Sequence, residues 1–119
     1  MKINVKLTDL SDQSVLYQGQ ADLELTEKGG RIFDLEDENY KGRWKVLEYG
    51  CILEHRTENS IRIFLSEKGN SKAVIDTEFG RLEMPASLDL YTQNDKQIMV
   101  EYTLEGVEDP FRFALTIED

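Results

Sequence analysis

The chain has 119 residues, within the usual range of ~100–200 for one domain and enough to bury roughly two-thirds of its unfolded surface. Its 14 Lys and Arg face 24 Asp and Glu, a formal net charge of −10 with a pI near 4.6. Nucleic-acid binders need a basic stripe against phosphates, and an acidic field repels anionic lipid, so neither nucleic acid nor a membrane surface is an expected partner.

The N-terminus, Met1-Lys2-Ile3-Asn4-Val5-Lys6, already alternates apolar and polar residues and has no apolar targeting core. Ile3, Val5 and Leu7 form an opening strand. Tyr17, Gly19, Ala21, Leu23 and Leu25 then alternate with Gln18, Gln20, Asp22 and Glu24, the period-two mark of a half-buried strand. Glu27-Lys28-Gly29-Gly30 separates it from a strand over Arg31–Leu35. Tyr40, Trp44 and Leu47 recur at helical spacing, but Gly42 inside that window costs ~1 kcal/mol in a helix. Trp44 and Val46 also fit a strand, the preferred reading of residues 36–48. Ile61, Ile63 and Leu65 form the next clear strand, and Lys68-Gly69-Asn70 is a turn. Ala73 to Phe79 runs into Gly80.

Leu82, Met84, Ala86, Leu88 and Leu90 share a face opposite Glu83, Ser87 and Asp89. Pro85 lacks an N–H, which predicts a sheet edge or a bulge there. Gln93-Asn94-Asp95-Lys96 turns into Ile98, Val100, Tyr102 and Leu104. The segment Gly106–Pro110 links this strand to Phe111, Phe113, Leu115 and Ile117, and the two make a hairpin with Pro110 outside the ladder. Nine or ten short strands joined by polar turns predict antiparallel neighbours in up-and-down order. So many strands with one apolar face must curl or split. Closure also removes exposed edges, so the expected fold is all-β, one small closed barrel of about 8–10 strands over residues 1–119.

Chemistry-bearing motifs are sparse. Cys51 is the only cysteine, so no internal disulfide forms, which fits a reducing cytoplasm. His55 is the only histidine, and there is no G-x-S-x-G, G-x-x-x-x-G-K-[ST] or G-x-G-x-x-G. On one strand Cys51 and His55 would lie about 13 Å apart, four residues at ~3.3 Å each, too far to share a metal. The acidic run Asp34, Glu36, Asp37, Glu38, Asn39 lacks the central glycine of a calcium loop and reads as a solvated loop. Phe33, Trp44, Phe79, Tyr102, Phe111 and Phe113 fall on expected interior faces. A barrel of this size is either filled by its side chains or holds one small ligand.

The C-terminal half carries Phe79-Gly80-Arg81-Leu82-Glu83-Met84, then Ile98-Met99-Val100-Glu101-Tyr102-Thr103-Leu104, then Leu115-Thr116-Ile117. This resembles the YwiB-like family, bacterial proteins of unknown function with an aromatic-Gly-x-Leu-Glu-hydrophobic motif and a strand ending in Glu-Tyr-x-Leu. Asp34-Leu35-Glu36-Asp37 followed by Gly42 is similar to that family's acidic loop. Family members usually have Pro after the Thr that precedes the aromatic-Gly pair; here Thr77 is followed by Glu78. The resemblance implies a calycin-like barrel, similar in architecture to lipocalins and fatty-acid-binding proteins. It implies no activity and no catalytic residue.

These readings converge on a non-enzymatic cytoplasmic barrel, monomer or homodimer, without metal or cofactor, that binds a small apolar ligand in its interior. The candidate ligand-binding residues are Phe33, Trp44, His55, Phe79 and Tyr102, with His55 or an interior water expected to meet the Tyr102 hydroxyl. The alternative is a side-chain-filled barrel acting through protein–protein contacts on its outer surface.

Overall fold

The period-two alternation becomes ten strands in the computed structural model, which describes residues 1–118. They are β1 (Lys2–Asp9), β2 (Ser14–Leu25), β3 (Arg31–Glu36), β4 (Lys41–Leu47), β5 (Gly50–Arg56), β6 (Ser60–Ser66), β7 (Lys72–Thr77), β8 (Gly80–Gln93), β9 (Gln97–Leu104) and β10 (Phe111–Ile117). Each pairs antiparallel with the next, and β10 returns to β1, from Val5↔Ile117 to Asp9↔Phe113, closing an up-and-down barrel. The segment around Trp44 is a strand. Trp44 points inward beside Val46, while Arg43 meets Asp34 on the outside at 2.7 Å.

Inward residues line up across neighbouring strands in rows. Val46, Cys51 and Leu65 form a low row, and Phe33, Trp44, Leu53, Ile63, Ala73 and Met84 a middle one. Gly42, His55, Ile61 and Ile75 form the upper row, and its register continues to Leu82, which is exposed. The outer face carries charge in the same register, with Arg43 beside Asp34, and Arg62 and Arg81 both on Asp76.

Two features of β8 differ from the reading of the sequence. Gly80–Pro85 pairs with β7 and Ala86–Gln93 with β9, so Pro85 sits where the strand changes partner. The ring is closed as a whole, and on the β9 side β8 is unpaired only up to this residue. Its missing N–H is tolerated at the changeover, where its carbonyl accepts from the Glu105 N–H at 2.9 Å. The bulge lies further on, between Leu88 and Leu90, with Asp89 unmatched. One extra residue reverses the parity that follows. Leu90 is therefore turned outward and exposed, and Tyr91 takes the inward position opposite Val100. A second irregularity, between Leu7 and Thr8, leaves Leu16 of β2 unmatched.

Candidate functional site

Hairpin turns alternate between the two ends of an up-and-down barrel, and the two ends differ. At the end holding the β2–β3, β4–β5, β6–β7 and β8–β9 turns, side chains tie opposite walls together. Arg31 donates to the Gln93 side-chain oxygen at 2.9 Å and to the Asn94 carbonyl at 3.1 Å. The Tyr91 hydroxyl and the Gln93 amide both donate to the Leu47 carbonyl, at 2.6 and 2.7 Å. Beneath the cavity, Val5, Phe33, Leu35, Val46, Cys51, Ile98, Val100 and Leu115 pack solidly. Burial pushes the Cys51 thiol up to about 12, which keeps it protonated and unreactive at neutral pH.

The other half is hollow. A cavity of about 560 Å³ is lined by inward residues of β1, β4–β7, β9 and β10, with Trp44, Leu53, Ile63 and Ala73 low down. It opens between exposed Val15, Leu16, Asn39 and Thr57 at the end that carries the remaining five turns. Those turns hold eight carboxylates and no Lys or Arg. They are Asp12 in the β1–β2 turn, Asp37 and Glu38 in β3–β4, Glu58 in β5–β6, Glu78 in β7–β8, and Glu105, Glu108 and Asp109 in β9–β10. The four turns at the sealed end carry Glu27, Glu48, Glu67 and Asp95 against Lys28, Lys68 and Lys96.

Aromatic rings form one side of the mouth. Tyr40 stacks on His55 with centroids 4.6 Å apart and planes 15° from parallel, and Tyr17 tilts against Tyr40 at 6.0 Å. Gly42 makes this possible. It lies opposite His55 in the β4–β5 register, and a Cβ there would stand 2.7 Å from the Tyr40 ring and 2.9 Å from the Glu54 carbonyl. The Asp37 carboxylate fixes the preceding turn by accepting from the N–H groups of Asn39 and Tyr40, at 2.7 and 2.8 Å. The acidic run is thus split: Asp34 and Glu36 belong to β3 and Asp37–Asn39 to this turn.

The expected site residues are therefore divided. Trp44, His55 and Tyr102 line the cavity together. Phe33 is fully buried but belongs to the packed layer, not the cavity wall. Phe79 is a correction. It lies in the β7–β8 turn, 92% exposed, because strand β7 ends at Thr77 and the alternation counted through the turn does not apply there. The pairing of His55 with the Tyr102 hydroxyl is also corrected, since the imidazole stacks on Tyr40 instead. Tyr102 stacks on Phe111 at 5.2 Å. Its hydroxyl has no hydrogen-bond partner among the described residues and is not sealed in the packing, so it looks onto the cavity. Tyr40, Val15 and Leu16 line the cavity as well and were not among the candidate site residues. The glycine two residues after Tyr40, opposite the only histidine, is the signal that could have found Tyr40.

Comparison of the chain with protein-family models, with curated proteins and with solved structures returns no match.

Proposed function

We propose that this protein is a non-enzymatic binding module that takes one small, mostly apolar ligand into the open half of its barrel. The observation that carries the reading is the cavity: about 560 Å³, open at one end, walled by aromatic and aliphatic side chains. Small-molecule sites run to ~300–1,000 Å³ and combine apolar walls with a few polar groups that set orientation. Here Tyr40, Glu54, His55 and Tyr102 are among the polar residues that line it, with Asn39 and Thr57 at the mouth. The architecture is similar to that of the lipocalins and fatty-acid-binding proteins, in keeping with the YwiB-like resemblance. That analogy supports ligand binding by association only. A buried, reduced Cys51 is in keeping with a cytoplasmic setting. The test is native mass spectrometry of protein purified from its own cytoplasm, with titration of an apolar fluorescent probe followed through Trp44. One small molecule per chain, displaced by the probe, is the expected result. A chain that arrives empty and gives no Trp44 response at saturating probe overturns the reading.

A second reading, contact with another protein, is favoured by a different observation. Phe79 is 92% exposed at the β7–β8 tip, next to exposed Leu82 on the half of β8 that has no β9 partner. Contiguous exposed apolar patches mark interaction surfaces, and Phe79 with Leu82 would be the centre of one. Light scattering on the parent and on Phe79→Ser tests the homodimer form of this reading, which requires a dimer that the substitution dissolves.

A further inference from the structure

We propose that the ligand is an amphipathic organic cation, an apolar body held in the barrel with a positively charged head at its mouth. The inference rests on the reading of the cavity as a ligand site and names the ligand's class. Three observations converge on it. Among the described residues, no lysine or arginine lines the cavity, so an anionic head would find no counter-charge there. The five turns around the mouth carry eight carboxylates and no basic side chain, whereas the turns at the sealed end are nearly balanced. The basic residues at the adjacent strand ends are mostly engaged: Lys41 with Glu36, Arg81 with Asp76 and Arg112 with Glu101, leaving Arg56.

The walls suit the same chemistry. Aromatic faces attract cations through the ring quadrupole, most strongly where water is thin. Tyr40, Trp44 and Tyr102 all border the cavity, and the Tyr102 hydroxyl, in a residue only 5% exposed, presents an unpartnered oxygen to it. Carboxylates focused around a low-dielectric mouth raise the local concentration of cations and repel anions of the same size. A fatty acid, whose carboxylate would have to pass this rim and remain beside it, is disfavoured by the same field.

The test compares three probes with the same ten-carbon tail: decyltrimethylammonium and decanoate, each below its micelle concentration, and decanol below its solubility limit. Calorimetry and Trp44 fluorescence report binding. The expected order is cation, then alcohol, then carboxylate, with one cation per chain and at least about tenfold between cation and carboxylate at low salt, shrinking as salt screens the rim. Val15→Lys, at an exposed mouth position, should weaken the cation and strengthen the carboxylate, a crossover that misfolding would not produce. Replacing Glu38, Glu58, Glu105 and Glu108 together by Gln should weaken the cation, strengthen the carboxylate and leave decanol where it was. If decanol or decanoate binds as tightly as the cation, if the order ignores salt, if Val15→Lys shifts both charged probes alike, or if the cation binds at many sites, the inference is overturned while the cavity remains a ligand site. If none of the three probes binds, the ligand-site reading falls and this inference falls with it.

Discussion

Tyr40 lies flat on His55, ring centroids 4.6 Å apart, although Tyr40 precedes β4 and His55 stands near the end of β5. Gly42 supplies the space, because any Cβ there would meet the Tyr40 ring at 2.7 Å and the Glu54 carbonyl at 2.9 Å. Gly42→Ala should therefore lift the ring and cost ~1–3 kcal/mol, as overpacking does. The His55 ring protons should lose their upfield shift in the NMR spectrum. Gly50→Ala should be worse, since its Cβ would be driven onto the Leu65 carbonyl, which belongs to the backbone and cannot swing aside. Equal stability of parent and Gly42→Ala by denaturant titration would contradict the packing described.

Trp44 and Phe79 should behave as opposites. Trp44 is 2% exposed in the middle row of the interior, whereas Phe79 stands in solvent. Trp44→Ala should cost about 3–5 kcal/mol and Phe79→Ala within about 0.5 kcal/mol. Native Trp emission should be blue-shifted and unchanged by Phe79→Ala. A red-shifted emission with a small loss for Trp44→Ala would put the indole outside.

Stability should fall in alkali. Burial raises the Cys51 thiol from 9.0 to about 12 and the Tyr40 hydroxyl from 10.0 to about 12, and Tyr91 and Tyr102 shift upward for the same leading reason. Each group is neutral when protonated, so above its ordinary pKa the unfolded chain loses the proton first. The unfolded state then binds fewer protons, and the free energy of unfolding declines as pH rises, by up to about 1.4 kcal/mol per unit for each group. The contribution is whole below pH 9 and disappears between about 9 and 12. Denaturant midpoints against pH should show this decline, and Cys51→Ala should remove its earliest part, between pH 9 and 10.

The sealed end offers a milder test. Tyr91→Phe removes the hydroxyl that donates to the Leu47 carbonyl at 2.6 Å, and Gln93→Ala removes the neighbouring amide donor. Each should cost about 0.5–1.5 kcal/mol, the usual net worth of one hydrogen bond. The double variant should lose more than the sum of the two singles, because either donor alone still satisfies the Leu47 carbonyl and only the double variant leaves it bare. A double-mutant cycle that is strictly additive would show that the two contacts are independent.

Strand number and order were legible because alternation such as Ile98, Val100, Tyr102, Leu104 directly reports which face is buried. What alternation cannot report is a change of phase. Asp89 adds one residue to β8 and turns Leu90 outward, and nothing in the run Leu88-Asp89-Leu90 distinguishes a bulge from a regular strand. Phe79 was misplaced for a related reason: a count by twos has no meaning once β7 ends at Thr77. Trp44, His55 and Tyr102 could be assigned to the interior, but the hollow they border depends on how side-chain volumes from seven strands add up across the barrel. The charge difference between the two ends was present in the sequence, since alternate turns differ in composition, but it becomes visible only when the strand order is known.

The bonds from Arg31, Tyr91 and Gln93 across the sealed end make the barrel a cup and not a pipe. A pipe flushes, its water leaving ahead of whatever comes in. In a cup, arriving molecule and departing water must pass each other in one doorway. Any exchange of an occupant for water then passes through that doorway alone. Its frame is made of hairpin turns around Asn39 and Thr57, which open locally at far less cost than a paired ladder. Stiffening those turns would slow loading and unloading together and leave the equilibrium between them nearly where it was. How long a guest stays and how tightly it is held would thus be set at opposite ends of the same cavity, the first by the frame and the second by the walls around Trp44.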